Sequence, residues 1–138
     1  MSPALYLGKL DSSGILQFGG KKHISIETYR RTGQPVRTTV WFVEEEGVLY
    51  IRTWADSGKV KRMRANPQVR VAPSGIGGDV MGDWMVGKAE PVDEAASHHL
   101  DELFNKKYGA QKRLMSAVAR IRGRNYLLYA IRLVHQTP

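Results

Sequence analysis

The feature that most limits how this chain can fold is a change of hydrophobic period. Between residues 23 and 92 apolar side chains alternate with polar ones, and between 93 and 123 they return every third or fourth position. A period of two buries one face of a strand, and a period near 3.6 buries one face of a helix. HISIETY (23–29) sets Ile24, Ile26 and Thr28 on one face, with His23, Ser25, Glu27 and Tyr29 on the other. VRTTVWFV (36–43) and VLYIRTW (48–54) are rich in β-branched and aromatic residues. The turns RTGQP (31–35) and EEEG (44–47) separate these runs, so the first three strands read as an antiparallel meander. QVRVAP (68–73), WMVGKAEPV (84–92) and NYLLYAIRLV (125–134) bring the total to six.

Helical spacing begins at Asp93. Ala96, Leu100, Leu103, Phe104 and Tyr108 mark one helix that Gly109 ends, and Leu114, Met115, Val118 and Ile121 mark another that Gly123 ends. Residues 1–21 are weakly patterned up to Gly19-Gly20, which reads as the close of a short helix. Clustered strands and segregated helices define an α+β chain, or a β-barrel with helical additions. With 138 residues and no linker, repeat or low-complexity tract, it reads as one domain over 1–138.

Several chemistries are excluded early. There is no cysteine, which removes disulfides, thiol catalysis and thiolate metal sites and makes the cytoplasm the default compartment. No apolar run approaches the ~18 residues of a membrane span, and MSPALYLGKL lacks the charged start and apolar block of a signal peptide. GDWMVGKA (82–89) is Gly-x4-Gly-Lys, but Ala89 stands where a P-loop needs Ser or Thr. Gly75, Gly77 and Gly78 begin a dinucleotide fingerprint that Val80 breaks, and no helix follows. The histidines are His23, His98, His99 and His135. Neighbours on a helix point about 100° apart, so His98 and His99 do not share a metal. No serine lies in a nucleophile elbow. An enzyme with this inventory draws its chemistry from a cofactor.

Charge narrows the partner. Lys and Arg number 21 against 13 Asp and Glu, a net charge of +8 that favours anionic ligands. One basic cluster covers 112–124, with Lys112, Arg113, Arg120, Arg122 and Arg124, and reads as a solvated helix face. The other lies in TWADSGKVKRMRANP (53–67). There Asp56 or Ser57 caps a short helix, Val60 and Met63 share its inward face, and Asn66-Pro67 stops it. Lys59, Lys61, Arg62 and Arg64 crowd this helix, whose N-terminus already carries partial positive charge. Nucleic acid is not the expected partner, because the basic residues and the aromatics Tyr29, Trp41, Trp54 and Trp84 form no known nucleic-acid motif. A non-catalytic module that stores a cofactor or binds nucleic acid without turnover stays open as an alternative to an enzyme.

A strand ending in Thr, then Ser-x-Lys opening a short helix, then Asn-Pro, resembles the flavin site of the pyridoxamine 5′-phosphate oxidase-like split β-barrels. The resemblance covers about residues 20–134. HISIETYRRTGQPVRTTVWF, RTWADSGKVKRMRANPQVRVAP, KKYG and RGR (122–124) are similar to the branch that uses the deazaflavin coenzyme F420, with FMN as the alternative cofactor. The resemblance implies a six-stranded antiparallel split barrel with short helices. It also implies a homodimer with cofactor where two barrels meet, and a small electron-poor organic substrate reduced by hydride transfer.

Carried over position by position, Thr38, Thr39, Val40 and Trp41 would flank the tricyclic ring, and Arg52 and Thr53 would lie near the ribityl chain and phosphate. Ser57 and Lys59 would hold the phosphate. Arg62, Lys61 and Arg64 would meet the carboxylates of a glutamate tail. Trp84 would border the pocket, with the second subunit as its other possible source. The chain also departs from the vitamin oxidases. Their Arg-x-Val-Leu-Leu-Lys strand reads Arg37-Thr-Thr-Val-Trp41-Phe42 here, Gly58 replaces their Arg beside the phosphate Lys, and their C-terminal substrate-binding extension is missing. Oxidation of pyridoxamine phosphate is therefore not expected.

Overall fold

A computed structural model describes residues 14–134; the reading of the first 13 residues and His135 lie outside it. Seven strands form: β1 (His23–Tyr29), β2 (Pro35–Val40), β3 (Phe42–Glu45), β4 (Val48–Trp54), β5 (Gln68–Ser74), β6 (Met85–Pro91) and β7 (Tyr126–Leu133). With them are α1 (Gly58–Ala65), α2 (Glu94–Tyr108), α3 (Ala110–Ile121) and a helical turn at 14–16.

The sheet order is β2-β1-β5-β6-β7-β4-β3, and every pairing is antiparallel. The two ends of that order, β2 and β3, are separated in sequence by Trp41 alone. The expected strand at 36–43 is thus two strands, and the expected count of six becomes seven. The chain pairs with β1 through Val40, bends at Trp41, and then pairs with β4 from Phe42. The sheet is thereby curled so that its edges meet at one residue, which is how a barrel removes exposed edges. Both pairings of the expected meander form, β1 with β2 and β3 with β4, but the middle strand is split at Trp41 so that the two pairs stand at opposite ends of the sheet order.

A side chain holds the bend. Phe42 N–H donates to Tyr108 Oη at 2.9 Å rather than to a neighbouring strand. The Trp41 and Tyr108 rings stack at 4.3 Å and 6°. Alternation runs through the bend undisturbed, since Val40 and Phe42 are both buried inward. The expected turn at 44–47 is also shorter. Glu44 and Glu45 pair with Leu49 and Val48, leaving Glu46 (φ 52°) and Gly47 (φ 81°) as a two-residue hairpin loop.

Ile24, Ile26, Leu49, Ile51, Val69, Val71 and Ile131 fill the barrel, and α1 adds Val60 and Met63 to the same core. At Gly87 the sheet is closely packed: a Cβ there would lie 2.9 Å from Ile131 Cγ2. A second cluster lies between α2 and the β3–β4–β7 surface, where Phe104 and Tyr108 meet Val43, Trp41, Tyr50 and Leu128. α3 differs from its expected role. Its buried residues are Lys112 and Ala119, whereas Leu114 and Ile121 are 66% and 84% exposed. No helix among the described residues is long and apolar enough to cross a membrane.

Candidate cofactor site

The four cations of the 59–64 stretch divide into two pairs. Lys61 and Arg64 are exposed. Lys59 and Arg62, one turn apart, point back toward the barrel. Lys59 Nζ donates to Thr53 Oγ1 at 3.2 Å, and Arg62 Nε donates to Thr28 Oγ1 at 2.7 Å. Neither makes an ion pair with a carboxylate among the described residues. Burial, then the neighbouring Arg62, pulls the Lys59 ammonium down to about 8. Burial and Arg30 lower the Arg62 guanidinium as well. Two cations facing hydroxyls at a helix N-terminus form a site whose unmet requirement is an anion.

The local sequence explains the placement. Ser57 is the N-cap in extended conformation, and its Oγ accepts from Val60 N–H at 3.3 Å. No acidic residue lies in the first turn of α1. A Cβ at Gly58 would lie 2.8 Å from Arg62 Nη1. The Arg62 guanidinium therefore folds back over the first turn, into the space a side chain at 58 would take. It brings a cation next to the position where the family pattern carries its second one.

A cavity of about 200 Å³ adjoins Lys59. Thr39, Val40 and Trp41 line it from the β2–β3 bend, Arg52, Thr53 and Trp54 from β4, with Met115 of α3 and Tyr126 of β7. Six residues singled out in sequence therefore come together: Thr39, Val40, Trp41, Arg52, Thr53 and Lys59. Thr38 lies beside them but not on the wall; its buried Oγ1 has no hydrogen-bond partner among the described residues. Ser57 caps the adjacent helix, Arg62 sits on Thr28, and Lys61 faces water. Trp84 lies elsewhere in its own chain. It packs under the guanidiniums of Arg37 and Arg70, at 4.7 and 4.9 Å, and both bind the buried carboxylate of Glu27.

Three wall residues were not anticipated: Trp54, Tyr126 and Met115. Trp54 and Tyr126 are register partners across β4–β7, with rings stacked at 4.3 Å and 19°. Arg124 covers the outer face of Trp54 at 3.9 Å, and Arg52 covers Tyr126 at 3.4 Å. The sequence signal is Arg-x-Trp (52–54) within β4 and Arg-x-Tyr (124–126) at the entry to β7, each setting a cation two residues before a ring. The register is needed to see that the two pairs interleave. Larger hollows lie beneath the 14–20 turn, between α2 and α3, along α2 beside His99 and Leu103, and beside Met63, Pro67 and Tyr129. None of them is lined by Lys59 or Arg62.

Among the described residues no group of three or more His, Asp or Glu side chains is arranged to hold a metal. His98 and His99 pair separately with Glu102 and Glu45.

No family model and no curated protein matches the chain in sequence. Solved structures do match in fold. A protein of unknown function from Agrobacterium tumefaciens superposes with a TM-score of 0.68 at 15% identity, over 96% of this chain and 56% of the other. This chain thus spans little more than half the length of that neighbour. A provisionally assigned pyridoxamine 5′-phosphate oxidase from Listeria innocua gives 0.63 at 15% identity, over 92% and 99%. A FAD-binding protein from Mesorhizobium loti gives 0.59 at 18% identity, over 93% and 88%. At these identities the likeness concerns the fold. The chain has the split-barrel architecture of the pyridoxamine 5′-phosphate oxidase-like proteins.

Proposed function

We propose that this chain is an oxidoreductase that binds the deazaflavin coenzyme F420 and reduces a small electron-poor organic substrate. The observation that carries the proposal is the inward pair Lys59 and Arg62, held by threonine hydroxyls beside a cavity walled by Trp41, Arg52 and Thr53. These residues fit a phosphate-bearing tricyclic cofactor. Lys59, Arg62 and the free N–H groups of the first α1 turn would hold the phosphate. A charge-assisted contact of this partly buried kind contributes about 1.5–3 kcal/mol. Thr39, Val40 and Trp41 would flank the ring. When bound, such a cofactor supplies a hydride. The chain would position the ring and keep water from it.

A cavity of about 200 Å³ falls below the ~300–1,000 Å³ of most complete small-molecule sites. One chain therefore supplies part of the site, and we assign the remainder to a second copy. In support, Met115 lines the cavity from α3, and on the same helix Leu114 and Ile121 stand exposed among the described residues. Trp84 would belong to the pocket only if it came from that second copy.

FMN is the second reading, favoured by the flavin-binding neighbour from Mesorhizobium loti. It gains from the exposure of Lys61 and Arg64, because a tail carboxylate on an exposed cation adds only ~0–1 kcal/mol. Titration of the cofactor-free protein with F420 and with FMN, followed by fluorescence, tests both. Tight F420 binding with weak FMN binding supports the first reading, and the reverse order supports the second. Binding of neither refutes the cofactor reading altogether.

A further inference from the structure

The cleft between α2, α3 and strands β4 and β7 has a volume of about 660 Å³ and shares two wall residues, Arg52 and Tyr126, with the cofactor cavity. Arg120 and Arg124 also line it. Arg52 is held in place without a counter-ion in contact. Its guanidinium stacks on Tyr126, and Nη2 donates to the neutral Ser116 Oγ at 3.0 Å. Arg120 makes no ion pair among the described residues. Arg124 binds Asp56 at 2.9 Å, yet its Nε–H is buried with no acceptor among the described residues. Two carboxylates, Glu94 and Asp101, line the same cleft. Asp101 is neutralised by the buried Lys112 at 3.0 Å.

A half-buried guanidinium in contact with only a hydroxyl and a ring has lost water without gaining a carboxylate in contact; Asp101 acts on it only at a distance, and burial outweighs that attraction. Its planar fork matches a carboxylate in two parallel hydrogen bonds. Val92 and Leu128 give the otherwise polar cleft an apolar part. We infer that this cleft is a receptor for the carboxylate of a ligand with an apolar or aromatic body, bound beside the cofactor cavity with Arg52 as the shared wall. The inference rests on the proposed cofactor reading only for the owner of the carboxylate, which is either the substrate or the glutamate tail of F420.

The test uses the cofactor-free protein and two probes of one shape, 2-naphthoate and the uncharged 2-naphthamide, followed by NMR. The expected result is that 2-naphthoate shifts the Nε–H signals of Arg52, Arg120 and Arg124, and that the amide binds at least about tenfold more weakly. Arg120→Gln should weaken 2-naphthoate by about five- to tenfold while the remaining spectrum is preserved. Equal binding of the two probes, shifts confined to Lys59 or to Lys106 and Lys107 of the hollow beneath the 14–20 turn, or no binding at millimolar probe would each overturn the inference. The same variant, titrated with F420 and FMN, separates the two owners. Weakened F420 with unchanged FMN assigns the carboxylate to the tail, and no change in either assigns it to the substrate. Failure of both cofactors to bind the wild-type chain would refute the cofactor reading and leave the 2-naphthoate result standing.

Discussion

Replacing Tyr108 by Phe removes one oxygen from the joint that closes the barrel. That oxygen accepts from Phe42 N–H at 2.9 Å, and its own proton goes to Phe42 O or Lys22 O, each at 2.8 Å. Burial pushes the phenol well above its ordinary value, so it stays protonated and keeps both roles throughout the usable pH range. In the variant, Phe42 O retains Lys107 Nζ at 2.7 Å, and Lys22 is exposed, so its carbonyl can turn to water. Phe42 N–H has no such recourse, because Phe42 is 1% exposed. The ring stack on Trp41 survives, so little packing is lost. The cost is that of one buried unpaired donor, about 1–2 kcal/mol. For a chain of this length that corresponds to a fall in Tm of about 3–7 °C. Urea unfolding followed by tryptophan fluorescence measures it, and the slope with urea should not change. A loss below about 0.5 kcal/mol would refute the reasoning, since it would mean that Phe42 N–H finds another acceptor and the bend does not depend on Tyr108. Trp41 lines the cavity, so cofactor affinity should fall with the joint's stability.

Lys59→Met should stabilise the cofactor-free protein at neutral pH while weakening the cofactor, as measured by urea melts and by titration. The ammonium has a folded-state value of about 8 against an ordinary 10.5. The unfolded chain therefore binds more protons between those values, and wild-type stability should rise with pH across that window by up to about 3 kcal/mol from this group. The variant should show a smaller rise, and an unchanged slope would contradict the assignment. Cofactor affinity in the wild type should move the opposite way, declining above about pH 8 as the cation discharges. Gly58→Ala should change stability by no more than about 1 kcal/mol but displace the Arg62 guanidinium and weaken the phosphate-bearing cofactor several-fold; undiminished affinity would show that Arg62 does not serve the site. Glu27→Gln should cost about 1–3 kcal/mol, because Arg37 and Arg70 lose their shared carboxylate, the figure being moderated by their own partial exposure. Equal stability of this variant in a urea melt would mean that Trp84 alone holds the two guanidiniums.

Much was legible before any coordinates. Strands 23–29, 48–54 and 68–73 sit within a residue of their observed bounds, because alternation, turn residues and proline act locally. The α1 helix was readable for the same reason: Ser57 caps it, Asn66-Pro67 ends it, and Val60 and Met63 lie on one face. The split at Trp41 was not readable. A strand that changes partners keeps its period of two, so Val40 and Phe42 look the same whether the chain runs straight or bends.

The site divides along the same line. Sequence alone determined that a cationic, serine-capped helix follows a strand carrying Thr53 near its end, since those features depend on near neighbours. It could not tell which cations turn inward, because Lys59 and Lys61 are chemically alike and only the barrel's curvature distinguishes their faces. Nor could it show that Arg52 and Tyr126 meet, or that Trp84 lies under Arg37 and Arg70. Those contacts join positions far apart in the chain. Strand register and barrel closure create them, and these are decided by the packing of the whole sheet.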